Sequence, residues 1–244
     1  MTQRLYQHDA YLKAFEASVL TVLPEGVVLD RTAFFPTGGG VQCDHGTLQV
    51  AGGGIAQVVE TVEHEQGILH RFEASPGPEW QVGAHVQGRL DWERRYALMR
   101  YHTATHVLSG VMFHEHDVRV TGNQLTPDKG RVDFSFAAYD PALLEDGFAR
   151  SNALVGQNLP VEVSFISAEE ANQRPELFKL EVAFKHAALE ELRLVDIKGF
   201  DVQADGGCHV ASLAEIGTLR MAKAENKGKS NRRVYFVLEA PQAD

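Results

Sequence analysis

Apolar and polar residues alternate through the first third of the chain. Val19-Leu20-Thr21-Val22-Leu23, a Pro24-Glu25-Gly26 turn and Val27-Val28-Leu29-Asp30 read as a hairpin. Residues 46–50 and 55–62 alternate with a period of two around Gly52-Gly53-Gly54, and residues 68–72 and 86–90 continue the pattern. Short strands at this spacing predict a small β-barrel-like unit over residues 1–88. The run Gly38-Gly39-Gly40, after Thr32-Ala33-Phe34-Phe35-Pro36-Thr37, fits no regular element. It marks a sharp turn or a close approach of backbone to something else.

At Asp91, a good helix cap, the period lengthens. Tyr96, Ala97, Met99, Arg100, His102, Thr103, His106, Val107, Gly110 and Val111 recur at helical spacing, predicting a helix to about Phe113. Strands are expected at 118–125, 131–136, 161–165, 214–220 and 234–238. Helices are expected from Pro141 to about Gln157, over residues 168–172, and over residues 178–190. Helices and strands do not alternate strictly. The class is therefore α+β, with residues 89–244 forming a second domain of two layers on a mainly antiparallel sheet.

The long helix carries the first chemical signal. His102 and His106 stand four apart, so both rings lie on one face and can share a metal ion. Far downstream, Asp205-Gly206-Gly207-Cys208-His209 brings a third histidine, a carboxylate and a thiol in a loop that glycines allow to fold tightly. Imidazole with carboxylate or thiolate suits zinc. His114 and His116 read as a surface pair. Thr103 occupies the place of the glutamate in the H-E-x-x-H protease motif, which argues against a peptidase of that type.

Composition narrows the setting. No apolar run approaches a membrane span, and the first residues lack a signal-like apolar stretch. Two cysteines build no disulfide framework, so a cytoplasmic protein is expected. The net charge of −10 argues against broad nucleic-acid binding. The segment from Lys223 to Arg233 goes the other way, setting Lys223, Lys227, Lys229, Arg232 and Arg233 against the single acid Glu225. Such a patch contacts a few phosphates or is simply a solvated loop.

Taken together, and in order, these segments resemble the AlaX family of free-standing alanyl-tRNA editing proteins, which are similar to the editing domain of alanyl-tRNA synthetase and, more distantly, threonyl-tRNA synthetase. The resemblance rests on Thr32-Ala33-Phe34-Phe35-Pro36-Thr37-Gly38-Gly39-Gly40 with Asp44-x-Gly46; on Arg94, Arg95, Met99, Arg100, His102, Thr103, Ala104, His106 and Leu108; and on Val120-Thr121-Gly122-x-Gln124, Asp128-Lys129 and Asp133-Phe134. It continues in Gly206-Gly207-x-His209-Val210, Glu215-Ile216-Gly217 and Lys227-Gly228-x-x-Asn231-Arg232-Arg233-Val234-Tyr235-Phe236. The size matches the medium-length members.

The resemblance implies a trans-acting, ATP-independent hydrolase that deacylates mischarged tRNA-Ala, carrying serine or glycine, with one Zn(2+) per chain. It implies metal ligation and catalysis by His102, His106 and His209, and substrate contact by Thr32, Gly38, Gly39, Gly40, Gln124, Lys227, Arg232 and Arg233, with Asp128 beside the pocket. The chain departs from the pattern in three places, one of them Cys208, which stands where the family has threonine. Asp205 stands where the family usually has a cysteine ligand, leaving the fourth ligand open between Asp205, Cys208 and water, with side-chain direction favouring Asp205. Val41 stands where the family has glutamine, and Gln42 follows it. A metal-dependent hydrolase of a small ester or amide, and a tRNA-binding module with a degenerate site, are the competing readings. The oligomeric state, monomer or homodimer, is left open.

Overall fold

The structure is a computed structural model that describes residues 1–136, 140–174, 177, 191–228 and 230–240. The chain divides into two compact units, Met1–Leu98 and Met99–Asp244. The α+β class holds: the described residues contain three α-helices, and the sheets are mostly antiparallel.

In the first unit the strands are β1 (Gln3–Arg4), β2 (Ala14–Leu23), β3 (Gly26–Leu29), β4 (Arg31–Thr32), β5 (Gly46–Val50), β6 (Ile55–His64), β7 (Gly67–Phe72) and β8 (His85–Leu90). Six of them close a ring in the order β2-β3-β7-β6-β5-β8, every neighbour antiparallel, while β1 and β4 form a short parallel pair. The alternating sequence explains the ring. Its inward residues, among them Val19, Val27, Leu29, Leu48, Val50, Val58 and Val86, form one apolar core with Phe34 and Trp80.

Helix α1 (Trp92–His116) starts in the first unit and runs on into the second. Asp91 caps it, its Oδ1 accepting from Arg94 N at 3.1 Å. Every residue from Tyr101 to Leu108 is buried, so the polar side chains there must find partners inside the protein. Thr105 donates back to the Tyr101 carbonyl, and Thr103 Oγ1 lies 3.0 Å from the Met99 carbonyl.

The second unit continues with β9 (Arg119–Leu125), β10 (Gly130–Ser135), α2 (Pro141–Val155), β11 (Val161–Ser167), α3 (Ala168–Asn172), β12 (Glu191–Ile197), β13 (Asp201–Ala204), β14 (Leu219–Asn226) and β15 (Asn231–Leu238). One sheet runs β14-β15-β10-β9 and a second β11-β12-β13. The first sheet turns Val132, Phe134, Val234 and Phe236 inward, where Tyr101 of α1 and Phe148 of α2 pack on Phe236.

Beyond the short strands β1, β4 and β13, which no pattern predicts, two elements differ from expectation. The strand expected at 214–220 begins only at Leu219; ahead of it Leu213–Glu215 form a 3-10 turn, closed by a capping box between Ser212 and Glu215. Strand β12 is absent from the expected elements, because Arg193 and Val195 are buried along with Leu192 and Leu194, so both faces are covered and the alternation of a half-exposed strand is lost. The helix expected over 178–190 lies outside the described residues.

Candidate metal centre

Helix α1 and the loop after β13 bring His102, His106, Asp205 and His209 together, their ligand atoms all within 4.8 Å of one another. Asp205 Oδ2 lies 3.5 Å from His102 Nε2 and 3.7 Å from His106 Nε2, and Asp205 Oδ1 lies 3.1 Å from His209 Nε2. A tetrahedron of bonds about 2.0–2.1 Å long has edges of about 3.3 Å, so these separations fit one small cation. The three histidines are buried, and the Asp205 side chain is 22% exposed.

The electrostatics fit as well. Burial, and then the His102 and His106 rings, hold the His209 imidazole well below its ordinary value, so it is neutral near pH 7. Burial works against ionisation of Asp205, but the neighbouring imidazoles, His102 foremost, outweigh it and hold the carboxyl well below the usual carboxylate range. His102 Nδ1 faces the Cys208 carbonyl at 3.3 Å. A carbonyl only accepts, so that nitrogen carries a hydrogen, and Nε2 faces Asp205. Three imidazoles converging on an ionised carboxylate make a donor set that a divalent cation completes.

Local structure fixes each ligand. Gly207 N donates to Asp205 Oδ1 at 2.6 Å. A side chain on Gly207 would put its Cβ 2.7 Å from His102 Nδ1, so glycine is required by the close approach of the ring. Buried Arg193 on β12 donates through Nη1 to the Asp205 carbonyl at 2.8 Å, and Asp205 N donates back to the Arg193 carbonyl at 3.1 Å. This reciprocal pair ties the backbone of the ligand to the strand beside it. Sequence reasoning missed Arg193, since its signal depended on recognising β12. Cys208 is buried and contributes its carbonyl to His102, and the four-residue cluster does not include it.

The other candidates lie as follows. In the first unit, Gly39 (φ 58°) and Gly40 (φ 80°) form the exposed tip of a tight turn closed by Gly38 N to Val41 O and Val41 N to Gly38 O; both central residues need the left-handed region, which is why two glycines stand there. Val41 is buried, and Gln42 Oε1 accepts from Arg94 Nη2 at 3.0 Å. The loop is anchored by the buried pair Asp44–Arg95, Asp44 Oδ2 also accepting from Phe35 N at 2.6 Å. Thr32 is wholly buried; its hydroxyl donates to His70 Nε2 at 2.7 Å and accepts from Phe34 N at 3.1 Å.

In the second unit Gln124 is exposed on β9, and Asp128 sits in a turn where its carboxylate accepts from Thr126. Lys227 pairs with Glu225 at 3.1 Å on the surface. Arg232 donates to Asn226 Oδ1 and the Gly228 carbonyl, shaping the end of the β14–β15 hairpin. Arg233 binds Asp133 through two bonds of 2.8 Å. His114 and His116 face separate carboxylates, Asp201 at 2.9 Å and Asp146 at 3.1 Å.

Residues 7–94 match the family model for class II (A) tRNA synthetases, and residues 192–235 match the second additional domain of threonyl and alanyl tRNA synthetases. The alanyl-tRNA editing protein AlaX-M of Methanosarcina mazei is 42% identical over 98% of this chain and 97% of its own length. AlaX-M of Saccharolobus solfataricus is 35% identical over 98% of this chain and 100% of its own length. The alanine–tRNA ligase of Pyrococcus abyssi is 34% identical over 97% of this chain, which spans 26% of the ligase. With this identity along nearly its whole length, the chain belongs to the AlaX-M family of alanyl-tRNA editing proteins, which are deacylases.

Proposed function

We propose that the chain acts in trans to hydrolyse the ester of mischarged tRNA-Ala, releasing serine, and also glycine, at a zinc centre held by His102, His106, Asp205 and His209. The observation that carries this reading is the cluster of three imidazoles and one carboxylate, in a chain whose relatives are named alanyl-tRNA editing proteins. Zinc held there supplies a Lewis acid for the ester carbonyl or for water. The reaction adds water to the ester: the acyl C–O bond breaks, the terminal ribose hydroxyl of the tRNA leaves with a proton, and the free amino acid departs.

The protein's own contribution is to present three imidazoles and an ionised carboxylate in fixed positions, so that little reorganisation accompanies the reaction. Serine differs from alanine by one hydroxyl. A site built to bond that hydroxyl leaves polar groups unpaired when alanine enters, which is the strong form of discrimination. Thr32, being enclosed, bears on the substrate through the Phe34 backbone that it braces. The exposed Gly39–Gly40 tip, next to Gly38, admits close approach of the terminal nucleoside.

On the second unit, Gln124 and the hairpin end bearing Lys227, Arg232 and Arg233 are the proposed contacts to the acceptor stem. Lys227 belongs to an exposed ion pair and can exchange Glu225 for a phosphate at little cost. Arg232 and Arg233, engaged with the hairpin and with Asp133, set the shape of that surface.

The test is release of serine from Ser-tRNA-Ala beside Ala-tRNA-Ala. Rapid serine release with alanine retained is expected, and chelation of metal should abolish it. Equal activity on a seryl-adenosine fragment, with no gain from the full tRNA, would move the assignment to a small-ester hydrolase.

A further inference from the structure

Thr103 follows His102 directly on α1 and is wholly buried. Its Oγ1 has three polar neighbours: the Met99 carbonyl at 3.0 Å, His209 Nδ1 at 3.1 Å and Val210 N at 3.1 Å. The Val210 N–H only donates and the Met99 carbonyl only accepts, whereas an imidazole nitrogen does either, according to its tautomer. The hydroxyl has one proton to place. Directed at Met99, it requires His209 to donate from Nδ1, and Nε2 then faces the cluster as a lone pair. Directed at His209 Nδ1, it leaves the hydrogen on Nε2, which donates to Asp205 Oδ1 at 3.1 Å. Both arrangements satisfy the ring with no heavy atom displaced. His102 has no such choice, because its Nδ1 faces a carbonyl.

We propose that Thr103 is the positioning residue of the centre: its hydroxyl holds the His209 ring in one place through both tautomers, so the ligand cluster is formed before metal arrives. The proposal rests on the metal-binding reading above. A metal at the centre would take the Nε2 lone pair of His209 and leave its one hydrogen on Nδ1, with the proton count unchanged. The hydroxyl turns from His209 to Met99. Outer-shell bonds of this kind orient ligating histidines, and their loss lowers metal affinity by about 10- to 100-fold.

The experiment compares the full chain with Thr103→Val and Thr103→Ser, each stripped of metal and checked for folding by circular dichroism. Zinc affinity is measured by competition with a chromophoric chelator, and the site geometry by the visible spectrum of the Co(II) form. Long-range proton–nitrogen NMR correlations report the tautomer of His209. Thr103→Val is expected to bind zinc about 10- to 100-fold more weakly with an altered cobalt spectrum, and Thr103→Ser to restore both. The native ring is expected to carry its hydrogen on Nε2 without metal and on Nδ1 with zinc. Unchanged affinity and spectrum in Thr103→Val, or one tautomer in both native states, overturns the proposal. A folded native chain that takes no zinc overturns the metal-binding reading instead. The metal-free spectra still decide the role of Thr103 in that event: the Nε2–H form should dominate in the native chain and lose that dominance in Thr103→Val.

Discussion

Each unit buries one threonine–histidine pair, and the two pairs end differently. In the first unit His70 places Nδ1 3.3 Å from the Val27 carbonyl and Nε2 2.7 Å from the Thr32 hydroxyl, with Phe34 edge-on at 5.3 Å. Both nitrogens are answered, and burial presses the ring down to about pKa 4. In the second unit Thr103 answers only one nitrogen of His209; the other faces Asp205, with His102 and His106 around it. The difference separates a histidine that serves the fold from one that serves a ligand. A ring closed by one hydroxyl and one carbonyl needs nothing more, whereas three imidazoles converging on one carboxylate offer a donor set to a cation.

The comparison is most sharply broken by removing a ligand. His102→Ala should cost about 1000-fold or more in serine release, on the scale of losing a Lewis acid worth several kcal/mol, read as single-turnover rates on Ser-tRNA-Ala. The first unit gives the converse case. Arg95→Met leaves Asp44 buried without its cation and should destabilise the fold by about 3–5 kcal/mol in urea titration, while the folded fraction keeps its metal.

Next comes pH. His70 is neutral in the fold and titrates near 4, against about 6.5 when unfolded. Its depressed value stabilises the fold above pH 6.5, and this contribution is lost as pH falls from 6.5 toward 4, amounting to about 3 kcal/mol. His70→Gln should flatten that part of the unfolding free energy against pH; an unchanged slope would remove His70 as its source. The smallest effect is expected from Lys227→Ala. It should alter stability by less than about 0.5 kcal/mol and weaken tRNA binding with a shallower salt dependence, measured by filter binding across a salt series.

Much of the scaffold was legible in the sequence because its signals are local. The Asp91 cap and the helical spacing after it mark α1, and period-two alternation marks the ring strands. The three histidines were also legible, His102 and His106 from their helical spacing and His209 from the glycine-rich loop, whereas the fourth member stayed open until the fold placed Asp205 among them. What supports them was not. Arg193 reaches Asp205 through a strand covered on both faces, and no spacing relates His70 to Thr32 or Thr103 to His209, because those pairs exist only once distant segments are packed. The 3-10 turn at Leu213–Glu215 was announced by Ser212 and Glu215, but the apolar residues that follow read as a longer strand.

The central claim is that the histidine–aspartate cluster of the second unit holds a divalent cation and the closed pair of the first does not. The direct measurement is metal content by mass spectrometry, after reconstitution with zinc and gel filtration, for the native chain, Asp205→Ala and His70→Gln. The account predicts about one zinc per chain in the native protein and in His70→Gln, and a large loss in Asp205→Ala. A folded native chain without bound zinc, or Asp205→Ala holding it as tightly as the native chain, would contradict the account.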